Sequence, residues 1–360
     1  MHIVVFGGGM QGCVIARNLK SREEKPRITV ADIRRPTHLP QGVDFIETDV
    51  LDEKQVEKVL ENVDTAVLAV PSQIARAALQ NILKTGVAVV DVCFTPEPPL
   101  DLDALARKNG ACCVIDCGIA PGVSHILAGN AFSEFGNLDD IKIYVGGIPQ
   151  APPAVFHHAI YFNPSDLVSE YIRPARAREA GVDIAPDPLK AEVHSFRDEE
   201  LGDLEAFLSD GLRTLLTSFP QVPNMSERTL RHAGHLKTMA DLEALGLFEE
   251  DTVDNTAKAL GNRYPAESYP DYLLMQVEAY SGSRSKSWRL LDRARDGESA
   301  MSRTTGYTTA AVAMVLARKQ FSEPGVHAPE RLGAESKITE TILQDLARRN
   351  IEVKEIVYKR

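Results

Sequence analysis

The sequence predicts an α/β protein with two domains: a parallel β-sheet flanked by helices, and an α+β domain with an open mixed sheet. Three observations support this prediction. Short apolar runs alternate with helical stretches over residues 1–122, and a glycine-rich turn follows the first run. Beyond residue 122, longer extended segments interleave with helical stretches. A chain of 360 residues is long enough to build both cores.

The glycine-rich turn follows the apolar run His2–Phe6, which predicts a strand buried on both faces. Its glycines have the G-x-G-x-x-G spacing of a dinucleotide-binding turn. The first permits the tight turn, the second lets a pyrophosphate approach the backbone, and the third lets the next helix, residues 11–21, pack on the sheet. A plain strand-to-helix connection is the alternative. The candidate cofactor-binding residues of this turn are Gly7, Gly9, Met10, Gln11 and Gly12.

Asp32 ends the next apolar run, Arg27–Asp32, and follows Gly12 by twenty residues. An acidic side chain at this place accepts hydrogen bonds from the ribose hydroxyls, which favours NAD over NADP. Arg34 and Arg35 keep NADP as an alternative, because an arginine just beyond the acid can pair with a 2′-phosphate. We therefore expect NAD as the cofactor, with Asp32 and Arg34 beside its adenosine ribose.

The alternation of strands and helices up to residue 122 predicts a Rossmann dinucleotide-binding domain, with right-handed crossovers between parallel strands. Further strands are predicted at 44–49, 65–70, 87–92 and 111–115, with helices at 53–62, from 71 onward, and at 102–109. Ligands of such sheets bind at the carboxyl ends of the strands. These ends supply the other cofactor-binding candidates, namely Asp49, Val50, Ala69, Val70, Pro71 and Cys93. Asp49 would contact the adenine amino group or cap the following helix.

Composition limits the partners and the compartment. The formal net charge of −11 argues against a nucleic acid or an anionic membrane as a partner. No apolar run approaches ~20 residues and the first strand lacks the basic region of a leader, so we expect a cytoplasmic protein without a membrane span. The 5 cysteines are odd in number and lack the paired spacing of metal ligands. Buried free thiols and no metal are therefore expected.

The second domain is predicted from extended segments at 141–145, 157–162, 192–196, 204–208, 227–232, 272–280 and 286–293. The predicted helices between them are 164–171, 211–218 and 234–245. Helices at 301–319 and 339–349, followed by a terminal strand, are expected to return the chain to the first domain. The predicted domains are residues 1–122 with 303–360 for the dinucleotide, and residues 123–302 for substrate binding and dimerisation. Tyr307, at the predicted hinge 305–307, packs on the cofactor or in the core.

Several segments together carry a resemblance that covers nearly the whole chain: Asp116–Gly122 with His125, Tyr144–Pro149, Glu170–Arg176, Ser209–Leu215, Thr229–His235 and Met301–Tyr307. In their order and spacing the chain resembles the saccharopine dehydrogenase superfamily and, within it, the L-lysine 6-dehydrogenase branch. The resemblance implies NAD-dependent oxidation of the ε-amino group of L-lysine, which releases ammonia and 2-aminoadipate 6-semialdehyde. It also implies a homodimer formed through the sheet of the second domain.

Ala120 bears on the choice between branches. Saccharopine reductases of the superfamily typically carry an aspartate before this Pro-Gly pair, whereas alanine is similar to the lysine dehydrogenase branch. One alternative is a saccharopine- or carboxynorspermidine-type NAD(P)-dependent dehydrogenase, which makes a secondary amine from an aldehyde and an amino acid. The other is a catalytically silent NAD-binding sensor.

Oxidation of an amine by hydride transfer requires the neutral amine, whereas a lysine ammonium has a reference pKa of ~10.4. The site therefore needs a base or desolvation that lowers this pKa. The expected catalytic residues are His125, His157, His158 and Asp91. If residues 157–162 form a strand, the adjacent histidines point to opposite faces and at most one lines the site. A structural histidine is the competing interpretation for each.

The substrate itself is expected to be a small amino acid, whose carboxylate calls for an arginine. Arg213 and Arg231 are the candidates, because a guanidinium binds a carboxylate with two hydrogen bonds. An ordinary ion pair is the alternative for each. Asp210 would hold the substrate amine or cap a backbone turn, and His235 follows Arg231 closely enough to line the same site.

Overall fold

The computed structural model describes residues 1–356, which form two compact units. Unit 1 comprises Met1–Ser133 and Thr304–Asn350, and unit 2 comprises Glu134–Arg303 together with the chain from Ile351. No helix within residues 1–356 has the length and apolar character needed to cross a membrane. Residues 357–360, which the predicted first domain included, lie outside the described residues.

The first part of the chain alternates strands and helices. In order it forms β1 His2–Phe6, α1 Met10–Lys20, β2 Arg27–Asp32, β3 Asp44–Glu47, α2 Glu53–Val59, β4 Thr65–Leu68, α3 Ser72–Lys84, β5 Ala88–Asp91, α4 Asp103–Asn109, β6 Cys112–Val114 and α5 Val123–Phe135. The strands are short and almost completely buried in the middle of the sheet, as expected for parallel strands covered on both faces.

The middle of the chain is richer in antiparallel strands. It forms β7 Asp140–Pro149, α6 Pro164–Ile172, β8 Ala177–Glu179, β9 Val182–Ile184, β10 His194–Asp198, β11 Gly202–Leu208, α7 Leu215–Ser218, β12 Asn224–His232, α8 His235–Ala244, α9 Val253–Arg263, β13 Asp271–Ser281 and β14 Arg284–Arg293. The last part of the chain forms α10 Ala300–Ala317, β15 Gly325–His327, α11 Pro329–Gly333, α12 Ser336–Ala347 and β16 Val353–Ile356.

Unit 1 contains a seven-stranded parallel sheet in the order β15-β6-β5-β4-β1-β2-β3. Phe6, at the end of β1, pairs with Ala31 on one side and with Leu68 on the other. The carboxyl ends of the three central strands therefore lie level at one edge, beside the glycine-rich turn. The predicted Rossmann-like α/β fold is confirmed.

Unit 2 contains a nine-stranded sheet whose main path is β10-β11-β12-β7-β13-β14-β16; β8 pairs with β12, and β9 pairs with β8. The sheet is mixed, because β12 runs parallel to β7 while its other neighbours are antiparallel. Side chains alternate between its two faces. On β12, Glu227, Thr229 and Arg231 share one face, while Arg228 and Leu230 lie on the other. The predicted open mixed sheet is confirmed.

The unit boundaries differ from the predicted domain boundaries. Unit 1 extends to residue 133, because α5 packs closely on α11: a Cβ at Gly129 would overlap the backbone of Glu330. At the other end, β16 belongs to unit 2, because it pairs with β14 in antiparallel register. The predicted return of the terminal strand to the first domain is therefore wrong. A short edge strand carries too little sequence pattern to reveal its partner.

Three predicted elements need correction. Residues 157–162 are a loop rather than a strand, because His157 has a φ of 56° and only Ile160 forms a bridge, to Pro265. The predicted helix 211–218 shrinks to α7, because Arg213 has a φ of 44° that no α-helix accommodates. Residues 305–307 lie inside α10 rather than in a hinge loop.

Candidate functional site

The three glycines of the β1–α1 turn, Gly7, Gly9 and Gly12, have different surroundings. Gly7 has a φ of 100°, and a Cβ there would overlap the carbonyl oxygen of Ala69. A Cβ at Gly12 would overlap the carbonyl oxygen of Gly7. A Cβ at Gly9 would meet no described atom within 4 Å. The outer glycines are thus required by the protein's own packing, whereas Gly9 leaves the open space that a pyrophosphate needs.

Helix α1 begins directly after Gly9 and has no side-chain cap. Its first N–H groups, from Met10 and Gln11 onward, precede the first helical hydrogen bond, in which Cys13 donates to the Gly9 carbonyl over 3.0 Å. Met10 is 53% exposed. An N-terminus without a side-chain cap beside an open glycine suits an anion, because the first turn of a helix and the helix dipole both favour negative charge.

Asp32 lies at the end of β2 and turns towards the glycine-rich turn. Its carboxylate accepts hydrogen bonds from the N–H of Gly8 over 2.6 Å and from the N–H of Arg34 over 3.0 Å. A carboxylate has about four acceptor positions, so two remain for ribose hydroxyls. The side chain of Arg34 is exposed. These contacts fit the adenosine end of a dinucleotide.

Other predicted cofactor residues have structural partners. Asp49 accepts a hydrogen bond from the N–H of Leu51 over 2.9 Å, and the helix cap of α2 is Asp52 instead. Val50 is buried, and Pro71 occupies the cap position of α3. Tyr307 is half-buried in α10. Contact of these residues with a cofactor stays a prediction.

The ends of β4 and β5 are tied together through Cys93. The N–H of Val70 donates to its Sγ over 3.4 Å, and the N–H of Ala69 donates to the Phe6 carbonyl over 2.8 Å. Asp91 is buried and accepts from the N–H of Cys93 over 2.8 Å. Burial, and then the carboxylate of Asp91, raise the pKa of the Cys93 thiol, so it stays protonated. These contacts give Cys93 and Asp91 a structural task in the turn.

The predicted catalytic histidines occupy different surroundings. His125 is fully buried in α5, with Nδ1 3.0 Å from the hydroxyl of Ser124. His157 is partly buried in its loop, where its ring packs against Gly234. His158 is 1% exposed, and neither of its ring nitrogens has a hydrogen-bond partner within residues 1–356. Among the three, His158 therefore has the capacity to accept a hydrogen bond from a ligand.

Unit 2 gathers charged and hydroxyl side chains into one buried group, which we call the polar cluster: Glu170, Tyr171, Ser209, Asp210, Arg213, Glu227, Thr229, Arg231 and His235. Arg231 lies near its centre and is 3% exposed. Its Nη2 donates to Glu170 over 2.9 Å, its Nε to the hydroxyl of Tyr171 over 3.1 Å, and its Nη1 to the Leu230 carbonyl over 2.9 Å. These three hydrogen bonds fix the orientation of the guanidinium group.

His235 continues this network. Its Nδ1 is 2.6 Å from the carbonyl oxygen of Phe156, so Nδ1 carries the proton, and Nε2 accepts from the hydroxyl of Tyr171 over 2.7 Å. Burial, followed by the charge of Arg231, lowers the pKa of His235 to about 3. Burial and Arg231 also lower the pKa of His158, whose ring centroid is 5.0 Å from that of His235. Both histidines are neutral near pH ~7.

Asp210 is 4% exposed and faces two arginines from the loop after α6. Arg176 donates to it over 2.7 Å and 2.9 Å, and Arg173 approaches it at 2.9 Å. Arg213 follows three residues later and is 3% exposed. The predicted substrate-site residues Asp210, Arg213, Arg231 and His235 thus lie within a single buried group of unit 2.

Several members of the cluster were not predicted from the sequence as site residues: Glu170, Tyr171, Ser209, Glu227 and Thr229. Glu227 is 4% exposed, and burial, with Glu170 and then Asp210 as the next causes, raises its pKa to about 8. The sequence pattern that could have identified Glu227 and Thr229 is the alternation of side chains along β12, which puts both on the same face as Arg231. Within residues 1–356 no group of three His, Cys, Asp or Glu side chains is arranged to hold a metal ion.

Two family models match the chain. The saccharopine dehydrogenase NADP binding domain matches residues 3–114, and the saccharopine dehydrogenase C-terminal domain matches residues 118–351. The chain belongs to the saccharopine dehydrogenase family. This confirms the predicted superfamily and a nicotinamide dinucleotide as the cofactor, and it supports the predicted enzyme class, an NAD(P)-dependent oxidoreductase.

Individual relatives agree with this assignment. Saccharopine dehydrogenase [NADP(+), L-glutamate-forming] of Schizosaccharomyces pombe is 26% identical over 156 residues, 41% of this chain and 34% of that protein. The Saccharomyces cerevisiae protein of the same name is 25% identical over 114 residues, 31% of this chain and 26% of that protein. The matched segments thus span about a third or less of these relatives.

A solved structure shows the same fold along the whole chain. The apo histidine-tagged saccharopine dehydrogenase (L-Glu forming) from Saccharomyces cerevisiae superposes with a TM-score of 0.80. The alignment covers 99% of this chain and 100% of that chain, at 16% identity. The fold of this family member is therefore established independently of its substrate.

Proposed function

We propose that the protein is an NAD-dependent dehydrogenase that oxidatively deaminates the side-chain amine of L-lysine, or of a close diamino acid, to 2-aminoadipate 6-semialdehyde. The polar cluster of unit 2 carries this proposal, because it combines buried arginines with neutral histidines. Unit 1 would bind the dinucleotide through the β1–α1 turn, and unit 2 would bind the amino acid.

The charges in and beside the cluster favour an anionic group on the substrate. Within the cluster, the carboxylates of Glu170 and Asp210 balance the guanidinium groups of Arg213 and Arg231, while Glu227 stays neutral. Arg173 and Arg176, whose side chains are 28% and 29% exposed, add positive charge beside Asp210 that an anion can compensate. We assign Arg231 and Arg213 to the substrate carboxylate, since a guanidinium binds this group with two parallel hydrogen bonds.

The amine must lose its proton before hydride can leave the adjacent carbon. A site that excludes water and contains several arginines lowers the pKa of a bound ammonium, because both effects disfavour a further positive charge. His158 is neutral and has two ring nitrogens without partners within residues 1–356, so one of them can accept a hydrogen bond from the amine. We assign this positioning role to His158.

The bound nicotinamide supplies the hydride acceptor. Asp32 supports NAD rather than NADP, because its carboxylate lies beside the glycine-rich turn and would repel a 2′-phosphate. Gly9 leaves space for the pyrophosphate, and the N-terminus of α1 has no side-chain cap.

A saccharopine-type reaction is the second candidate. Arg173 and Arg176 beside the cluster would also suit a substrate with more than one carboxylate, and the named relatives are glutamate-forming saccharopine dehydrogenases that use NADP(+). Ala120 favours the first candidate, because the resemblance places an aspartate there in saccharopine reductases.

Product formation with each substrate and cofactor tests the proposal. The protein is incubated with L-lysine and NAD, and the absorbance of the reduced cofactor is followed. We expect turnover with L-lysine, and a higher kcat/KM with NAD than with NADP. Turnover with saccharopine and NADP alone would establish the second candidate. Cofactor binding without turnover of any diamino acid or secondary amine would indicate a silent NAD-binding sensor instead.

We further propose a cytoplasmic homodimer formed through the sheet of unit 2. The face opposite the polar cluster carries large side chains that are only partly buried within one chain, among them Tyr144, Phe196 and Leu291. Five free cysteines suit a reducing compartment. Sedimentation equilibrium tests the dimer: Phe196→Asp should shift the mass towards one chain, and an unchanged mass would reject this face.

A further inference from the structure

Glu227 is a buried acid without a task in the reaction proposed above. It lies on the same face of β12 as Thr229 and Arg231, and it is 4% exposed. Its Oε2 has no hydrogen-bond partner within the described chain, residues 1–356. Gly211 makes room for its carboxyl group, because a Cβ at that position would overlap the group.

A continuous line of oxygen atoms connects Glu227 to the central arginine. Its Oε1 is 3.4 Å from the Oγ of Ser209, which is 2.9 Å from the hydroxyl oxygen of Thr229. That hydroxyl is 2.6 Å from Oε1 of Glu170, whose Oε2 accepts from Arg231 over 2.9 Å. We call this line the hydroxyl relay; it comprises Glu227, Ser209, Thr229 and Glu170.

Each hydroxyl group has one proton, and this determines the direction of every hydrogen bond in the relay. Thr229 has one proton, and its 2.6 Å contact with the ion-paired carboxylate of Glu170 takes it. The 2.9 Å contact to Ser209 then requires Ser209 to be the donor. Its proton is then not available for Glu227, whose Oε1 lies 3.4 Å from the Ser209 hydroxyl. A protonated Glu227 supplies the donor that this contact otherwise lacks.

The charges around Glu227 agree with a neutral carboxyl group. Glu170 faces it from α6, and Asp210 and Arg213 face it from the loop after β11. Burial and the two carboxylates raise its pKa to about 8, against smaller opposing effects from the hydroxyl of Ser209 and the guanidinium of Arg213.

We propose that Glu227 is a positioning residue that acts as a neutral acid. Its proton orders the hydroxyl relay, and the ordered relay holds Glu170 against Arg231, the arginine assigned to the substrate carboxylate. This role rests on the proposed function. When Glu227 loses its proton it becomes an acceptor, Ser209 turns towards it, and Thr229 loses the hydrogen bond that it accepted from Ser209. This loss weakens the hydrogen bond from Thr229 to Glu170, so Glu170 holds Arg231 less firmly and affinity for the amino acid falls.

Infrared difference spectroscopy tests the protonation without any turnover. The spectrum of the wild type minus that of Glu227→Gln should contain the carbonyl band of a protonated carboxyl at about pH 7, and this band should disappear by about pH 9.5. Absence of the band at about pH 7 would overturn the proposal. If Glu227→Gln does not fold, a pH titration of the wild-type spectrum alone decides the same question. The outcome is independent of whether the protein oxidises lysine.

The pH dependence of KM tests the positioning role. In the wild type, KM for the amino acid should rise by about tenfold between about pH 7.5 and about pH 9.5, and in Glu227→Gln by less than about twofold. Glutamine donates to Ser209 at every pH, so the relay stays ordered. Glu278→Gln, on the opposite face of the sheet, should follow the wild type, because Glu278 accepts from Gln276 and Tyr280 outside the relay. Equal rises in the wild type and Glu227→Gln would overturn the proposal.

Discussion

Arg231 and Arg228 are two arginines on the same strand with opposite surroundings. Arg231 directs its guanidinium into the polar cluster, where three groups accept its hydrogen bonds. Arg228 lies on the other face of β12, and its Nη1 donates to the carbonyl of Glu192 over 3.3 Å. The charge and the strand are the same, so a comparison of the two residues isolates the effect of the cluster.

We predict that Arg231→Lys lowers kcat/KM for the amino acid by about 100-fold, mainly through KM. Lysine keeps the charge but not the planar fork, so it cannot serve Glu170, Tyr171 and a substrate carboxylate together. A loss of about 3 kcal/mol is typical when a buried, hydrogen-bonded charge pair is broken. Arg228→Lys should change kcat/KM by less than about threefold. Steady-state kinetics decide this, and equal losses in the two variants would contradict the assignment.

At the scale of one element, we predict different effects for alanine substitutions at two glycines of the β1–α1 turn. Gly12→Ala places a Cβ on the carbonyl of Gly7, so the helix must move away from the sheet. We expect a loss of about 1–3 kcal/mol in stability, together with weaker cofactor binding. Gly9→Ala adds a methyl group to open space at a φ of −68°, which alanine adopts freely. Its stability should be unchanged within ~0.5 kcal/mol, while NADH binding weakens.

Denaturant unfolding and NADH titration of both variants separate packing from cofactor contact. Loss of stability without loss of affinity in Gly9→Ala would show that this glycine serves the turn and not the pyrophosphate.

The elements of unit 1 were largely predictable from the sequence, because buried parallel strands are short apolar runs with little ambiguity. Two features were not predictable: the loop at 157–162 in unit 2, and the position of residues 305–307 inside α10 instead of in a hinge. His157 adopts a positive φ, which no apolar pattern reveals. Gly306 resembles a hinge residue in sequence, yet it serves contact between helices: a Cβ there would lie 2.6 Å from Nε2 of Gln11 in α1.

The polar cluster was predictable only in part. The arginines and His235 were accessible from residue type, because carboxylate binding calls for guanidinium groups. Glu227 was not, because a single glutamate in a strand normally faces water. Its burial depends on the partners of β12, which lies between β11 and β7, and that arrangement is set by pairing far along the sequence.

At the scale of the whole molecule, the titrating groups of the described chain oppose one another. The pKa of His158 and His235 is lowered by burial, to about 3 for His235, so the unfolded chain binds protons there below ~6.5 and stability rises with pH up to that point. The pKa of Glu227 is raised to about 8, and that of Asp271 to about 6. Because the folded protein binds these protons more tightly, the free energy of unfolding falls as pH rises towards each of these values.

The overlap of these windows predicts the shape of the stability curve. Between about pH 4.5 and 6 His235 gains stability at ~1.4 kcal/mol per pH unit and His158 acts in the same direction, while Glu227 and Asp271 act in the opposite direction, so these contributions offset one another. Between about pH 6.5 and 8 Glu227 alone among these four groups still contributes, and stability should fall by about 2 kcal/mol. Denaturant midpoints across this range measure it. Glu227→Gln should abolish the fall, whereas His235→Gln should extend a decline into the acid range; a fall that persists in Glu227→Gln would place the titrating group elsewhere.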